Sequence, residues 1–228
     1  MPGIVKLEDI AKTYNEGRVA VTALQDINLS IQNGEFAAIA GPSGSGKTTL
    51  LNIIGGLDLP TRGNVFLEEK HLGRISRGAL SRLRLNRIGF IFQSYNLIPV
   101  FTAFENAEFV LLLQKRPPQE RRQRVANLLE EVGLSGLEER FPREMSGGQQ
   151  QRVAIARSIS PEPALVLADE PTANVDSATA TELLNLMEEL NRTKNITFLF
   201  STHDPAVMER ARRLIKLKDG RIESDAVK

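Results

Sequence analysis

Residues Gly41-Pro42-Ser43-Gly44-Ser45-Gly46-Lys47-Thr48 have the spacing G-x-x-x-x-G-K-[ST] of a phosphate-binding loop. Its glycines let successive backbone N–H groups turn inward around an anion, and a helix starting at Lys47 adds its positive end. Lys47 supplies a point charge between β- and γ-phosphates, and Thr48 a hydroxyl ligand for Mg²⁺. The bland alternative is a glycine-rich turn. The apolar "FAAIA" before the loop and the helical pattern after it argue against that.

Hydrolysis needs a carboxylate for the metal and a base for water. "LVLADE" delivers both at the end of an apolar strand. Asp169 is the candidate metal partner, directly or through water, and Glu170 the candidate general base. Two solvated acids closing a strand is the plainer reading. Gln93 follows "GFIF" and His203 follows "FLFST", just past apolar strands, where open parallel sheets hold ligands. Gln93 is assigned to the metal site. His203 is assigned as a γ-phosphate sensor that orients the base. Tyr14 is either an adenine-stacking ring or a packing residue.

A second glycine-rich stretch, "EMSGGQQQRVAIAR", opens another helix. Ser146 there suits a helix cap. Gly147 and Gly148 weaken a first turn by about 1 kcal/mol each. The expectation is that an anion approaches this backbone closely, and that the anion is a γ-phosphate held by a second copy of the chain.

The elements that must position these groups follow from the pattern. Residues 4–8, 27–31 and 35–40 read as strands, with a hairpin at Asn33-Gly34. "TRGNVFLEE" offers another turn and strand, 78–87 a helix and "IGFIFQ" a strand. "TAFENAEFVLLLQ", "PQERRQRVANLLEEVG" and "GGQQQRVAIARSIS" read as consecutive helices. "ALVLADEP" and "ITFLFSTHD" are apolar strands flanking a helix at 177–193, and "RLIKLKDGRIES" is a strand and turn. Apolar strands separated by helices predict an α/β fold with a mainly parallel sheet covered on both faces. The expected single domain has a nucleotide-binding core at 1–93 and 159–228 and an all-helical insertion at 94–158.

Bulk properties exclude several classes. A formal net charge of +1 argues against a dedicated nucleic-acid binder. The absence of cysteine excludes disulfides and thiolate metal sites. No run of about 18 apolar residues is present, and "MPGIVKLEDIAKTY" lacks a signal-peptide pattern. The expected location is therefore cytosolic, with membrane contact only through partners.

Together these motifs resemble the nucleotide-binding subunit of ATP-binding-cassette (ABC) transporters. "GPSGSGKTT", which adds Thr49, resembles the Walker A loop, and Gln93 the Q-loop. "MSGGQ", which adds Gln149, resembles the signature, and "LVLADE" the Walker B strand. "ANVD", ending in Asp176, resembles the D-loop, and His203 the switch histidine. The resemblance implies a P-loop NTPase core with an N-terminal antiparallel β-subdomain, and ATP with Mg²⁺ as ligands. It implies a head-to-tail dimer around two nucleotides, with Asp176 at the interface. It also implies transmembrane permease subunits and a place on the cytoplasmic face of the inner membrane.

"LLNIIGGLDLPTRG", "FQSYNLIPVFTAFEN" and "SGGQQQRVAIAR" further resemble the lipoprotein-release and macrolide-export branch. Met145 departs from the Leu usual in the signature. Ala173 and Val175 depart from this branch's Gly and Leu. The permease is expected to dock near Gln93–Asn106, with Leu97, Phe101 and Phe104 as contacts or, equally, as core residues. "KRPPQERRQR" reads as a solvated helix face or a lipid-headgroup contact. Competing readings are a non-transport ATPase acting on DNA or ribosomes, the ATPase of a cell-division regulator, and an inactive scaffold.

Overall fold

The computed structural model describes residues 3–16 and 19–228. Met1 and Pro2, within the stretch read for a leader, lie outside them. Two sheets and their helices form the molecule. The first sheet is antiparallel, in the order β2 (Val19–Ile31), β1 (Val5–Glu16), β4 (Arg62–Leu67), β5 (Lys70–His71). The second has the order β10 (Arg221–Val227), β9 (Arg213–Lys218), β3 (Phe36–Ala40), β8 (Thr197–Thr202), β7 (Leu165–Asp169), β6 (Ile88–Ile91). Its strands run parallel except β10, which pairs antiparallel with β9.

Strands β3, β8, β7 and β6 of the second sheet are buried on both faces, and that is why they are apolar without a polar alternation, whereas β9 alternates and β10 is exposed. Phe36, Ala38, Val166, Ala168, Phe198 and Phe200 face one core. The intervening Ala37, Ile39, Leu165, Leu167 and Leu199 face the other. Helix α1 (Lys47–Ile54) fills the second core through Leu50, Ile53 and Ile54. The first core is filled by α3 (Ala103–Leu113), α4 (Pro118–Glu131), α5 (Gly147–Ile159) and α6 (Ser177–Lys194). The helical segment between β6 and β7 therefore shares a core with the sheet. α2 (Arg77–Arg87) precedes β6, and α7 (Pro205–Arg210) follows β8.

Helix starts follow local chemistry. The Thr102 hydroxyl accepts from the Glu105 amide at 3.2 Å, and the Glu105 carboxylate accepts from the Thr102 amide at 2.8 Å, a reciprocal cap on α3. Asp176 caps α6, which ends at Asn195 in the left-handed conformation, φ 53°.

Two expectations need correction. Asn33-Gly34 is a turn but not a hairpin, because β2 and β3 belong to different sheets. The Gly34 amide donates instead to the Thr197 hydroxyl at 2.9 Å, and its carbonyl accepts from Asn191. The first two strands are also far longer than read. Asp9 and Asp26 each take φ 50°, and the β1–β2 register shifts between Leu7 and Thr13, so bulges break the alternation that marks a strand.

The run at 115–124 is largely neutralised within the chain. Arg116 pairs with Glu120, Arg121 with Glu108 and Arg124 with Glu162. Among the described residues no helix is long and apolar enough to cross a membrane.

Candidate active site

Lys47, Thr48, Asp169, Glu170 and His203 meet at one edge of the parallel sheet. Two registers make this happen. Asp169 closes β7 directly opposite Ser201 of β8, and the phosphate loop leaves the end of β3, the strand on the other side of β8. Thr48 Oγ1 lies 3.2 Å from each carboxylate oxygen of Asp169. Ser201, fully buried, donates its hydroxyl to Asp169 Oδ1 and fixes that carboxylate from behind.

The loop is built to bind phosphate. Gly46 has φ 102°, and a Cβ there would lie 2.5 Å from the Ala23 carbonyl, so glycine is required. Gly44, Ser43 and Thr48 are exposed, with nothing crowding Gly44, which leaves the loop's outer face open. Ser45, pressed against Gly41, has a buried hydroxyl with no partner among the described residues. The buried Lys47 ammonium donates to the Gly41 and Pro42 carbonyls at 2.8 and 3.1 Å. Thr49 is half-buried in the first turn of α1. These groups fit a polyphosphate, and the paired hydroxyl and carboxylate of Thr48 and Asp169 fit Mg²⁺, a hard cation that takes oxygen ligands.

Glu170 takes φ 47°, a left-handed conformation that costs a non-glycine residue about 1–3 kcal/mol and persists only where neighbours fix it. Its amide donates to the Ser201 carbonyl at 3.0 Å, continuing the sheet. The bend turns its side chain to His203, whose Nδ1 lies 2.6 Å from Oε1. The Thr202 hydroxyl reaches Oε2 at 3.3 Å. The carboxylate is mostly enclosed while the imidazole is 64% exposed, so the histidine is the outward-facing member of the pair.

Tyr14 sits on β1 with its hydroxyl donating to Asp58 Oδ2 at 2.8 Å. Lys12 donates to Asp58 Oδ1 at 2.7 Å and holds its ammonium 4.8 Å from the Tyr14 ring centre. Burial and the Asp58 contact hold the Tyr14 hydroxyl above its usual pKa, so it stays protonated.

A second cluster forms around the start of α5. The Ser146 hydroxyl accepts from the Gln149 amide at 3.3 Å, and the Gln149 side chain accepts from the Ser146 amide at 2.9 Å. Ser146 is thus a cap, the plainer of the two readings. Both glycines also have reasons inside the chain. A Cβ on Gly147 would lie 2.7 Å from the Tyr95 hydroxyl, and one on Gly148 2.5 Å from Thr179 Cγ2. An approaching anion, the reason expected from the sequence, is therefore not needed to account for the pair. The first-turn amides of Gly147 and Gly148 still lack intrahelical partners. Asp176 lies in the same cluster. Its carboxylate accepts from the Thr179 amide and hydroxyl, which hold its pKa low.

Thr179 cannot yield easily, because turning it breaks the 2.7 Å bond to Asp176. Gly148→Ala is therefore expected to destabilise the fold, since overpacking costs about 1–3 kcal/mol. That lowers the melting temperature by about 2–4 °C per kcal/mol in a chain of this size. An unchanged melting temperature would show that the contact relaxes freely.

Gln93 is exposed, and its backbone is what the network holds: its carbonyl accepts from Asn174 Nδ2 at 2.8 Å. The next turn puts Tyr95 and Asn96 at φ 60° and 48°, and Arg157 of α5 donates to both carbonyls at 2.8 and 2.6 Å. Tyr95 in turn donates to the Asn174 carbonyl at 3.0 Å. Sequence reading missed Ser201, Thr202, Tyr95, Arg157 and Asn174. For Ser201 and Thr202 a signal was present, two hydroxyls interrupting an apolar strand beside Asp169.

A groove of about 450 Å³ opens beside this turn, walled by Arg84, Phe90, Phe92, Ile98 and Phe109. Of the three candidate docking residues, Leu97 and Phe104 pack against the helical core. Phe101 braces Phe109 edge-on at 5.8 Å.

The sequence from 24 to 173 matches the ABC transporter family. The chain belongs to that family. This cassette is an ATPase, with ATP as its substrate and Mg²⁺ as its metal. It is 46% identical over 224 residues to the lipoprotein-releasing system ATP-binding protein LolD 1 of Rhodopseudomonas palustris, spanning 97% of this chain and 99% of that one. It is 44% identical over 222 residues to the macrolide export ATP-binding/permease protein MacB of Sodalis glossinidius, where it spans 34% of the longer protein. Among solved structures, the ABC cassette superposes with a TM-score of 0.91 on MJ0796 of Methanocaldococcus jannaschii, 42% identical over 98% of both chains. That structure is a post-hydrolysis dimer bound to ADP and Pi.

Proposed function

We propose that the chain powers a membrane complex by closing as a head-to-tail dimer around two Mg-ATP, with each copy's Ser146, Gly147, Gly148 and Gln149 meeting the γ-phosphate held by the other. The observation that carries this reading is the 2.6 Å contact between Glu170 and His203, beside a phosphate loop whose outer face is open. The dimeric ADP- and Pi-bound relative supports the assembly.

The chemistry follows from the side chains. The amides of Gly44 to Lys47 and the Lys47 ammonium hold the β- and γ-phosphates. Tyr14, braced by Asp58, stacks on the adenine. Thr48 and Asp169, with Gln93, would hold Mg²⁺, which neutralises charge on the phosphate oxygens when bound. Glu170 accepts a proton from the water that attacks the γ-phosphate in line. A carboxylate offers about four lone-pair sites, so contacts with His203 and Thr202 leave room for that water. With its proton on Nδ1, His203 holds Glu170 in place and turns its other nitrogen outward to the γ-phosphate. Asp176 sets the start of α6 at the dimer interface. Loss of the γ-phosphate removes the bridging anion, and the copies part.

The permease docks in the groove walled by Phe92, Ile98 and Phe109. This places the chain on the cytoplasmic face of the inner membrane, with the helices of 94–158 carrying force. The relation to LolD 1 supports a role in lipoprotein release or export-type mechanotransmission. Phe109→Ser tests the docking. It should abolish co-purification of the membrane subunits and leave basal ATPase activity within about twofold, since Phe109 is none of the residues assigned to the nucleotide or the metal. Retained co-purification would place the partner elsewhere.

A further inference from the structure

Gln151 lies on α5, one and a half turns past Ser146, and is fully buried. Its Nε2 donates to the Pro171 carbonyl at 2.7 Å, while its Oε1 has no partner among the described residues. A buried amide that makes one of its four possible hydrogen bonds is a poor packing choice unless that one bond holds something. The bond's value lies in what it holds. Pro171 directly follows Glu170, whose left-handed backbone needs fixing from outside. The Ser201 carbonyl holds that turn on its upstream side, through the Glu170 amide. Gln151 holds its downstream side.

We infer that Gln151 is a positioning residue: its amide ties the helix that begins at Ser146 to the turn that aims Glu170. The setting of the base then depends on the setting of α5. The inference rests on the reading of Glu170 as the base, and the two are tested apart.

Gln151→Met keeps length and volume and removes the donor. Its kcat should fall about 10- to 100-fold, the loss expected for a displacement near 1 Å at a reacting group. KM for ATP and nucleotide affinity should stay near wild type, while the melting temperature falls by several degrees, because the buried Pro171 carbonyl loses its partner. Gln151→Leu should show the same split. Added to Glu170→Gln, Gln151→Met should cost nothing further, because both changes act through one group. Wild-type kcat in Gln151→Met, or a full additional loss in the double variant, overturns the inference. So does loss of the folded state or of ATP binding in both single variants, which would assign Gln151 to stability alone. Full activity in Glu170→Gln would instead remove the base itself. An inactive Glu170→Gln beside a fully active Gln151→Met removes only the positioning role.

Discussion

Glu170→Gln is expected to abolish turnover while leaving ATP binding intact. The substitution keeps the side chain's shape, so the φ 47° turn and the contacts to His203 and Thr202 survive. What is lost is the negative lone pair that takes the water's proton. A positioned base is worth about 10²- to 10⁴-fold in rate, so kcat should fall by that factor with KM little changed. Steady-state phosphate release and equilibrium nucleotide titration measure the two quantities separately. A kcat within threefold of wild type would mean that another group takes the proton. No other carboxylate contacts His203 among the described residues.

Lys47→Ala fails differently. The ammonium is buried at the base of the loop and anchored by the carbonyls of Gly41 and Pro42. It is therefore poised to exchange those neutral acceptors for phosphate oxygens, a stronger charge-assisted pairing. Removing one side of such a pair costs about 2–5 kcal/mol, so ATP affinity should drop roughly 30-fold or more. Gly41 is half-buried and Pro42 exposed, so water can satisfy the freed carbonyls and the fold should hold. Calorimetric titration with ATP, beside a melting curve, separates the effects. Near-normal affinity would show that the loop amides alone bind the nucleotide.

How much of this was legible depended on whether a feature is local. The phosphate loop is contiguous, and its strand–loop–helix setting reads directly from residues 36 to 54. Glu170 and His203 were legible as strand-end residues on one edge, because an apolar strand declares where it stops. Their 2.6 Å contact was not, since it depends on the β7–β8 register and on a left-handed Glu170. Asn33-Gly34 signals a turn but carries no information about which sheet receives the next strand. The bulges at Asp9 and Asp26 hid most of the first two strands.

The glycine pair shows the limit most clearly. Sequence alone reveals that Gly147 and Gly148 are unusual in a first turn. Only packing reveals that Tyr95 and Thr179, far off in sequence, press against them. That close fit sets the start of α5 firmly against the turn carrying Gln93 and the start of α6. A fixed first turn, half-buried and with two amides free of intrahelical partners, is what a second copy's nucleotide would need.

Complementation between two copies is therefore the claim to test, and the molar mass of Glu170→Gln by light scattering tests it directly. With saturating Mg-ATP the variant should run at twice the monomer mass, return to monomer with ADP, and stay monomeric with ATP once Ser146 is also changed to Arg. A single-copy mass at every nucleotide condition and at high protein concentration, with nucleotide binding verified, would contradict it.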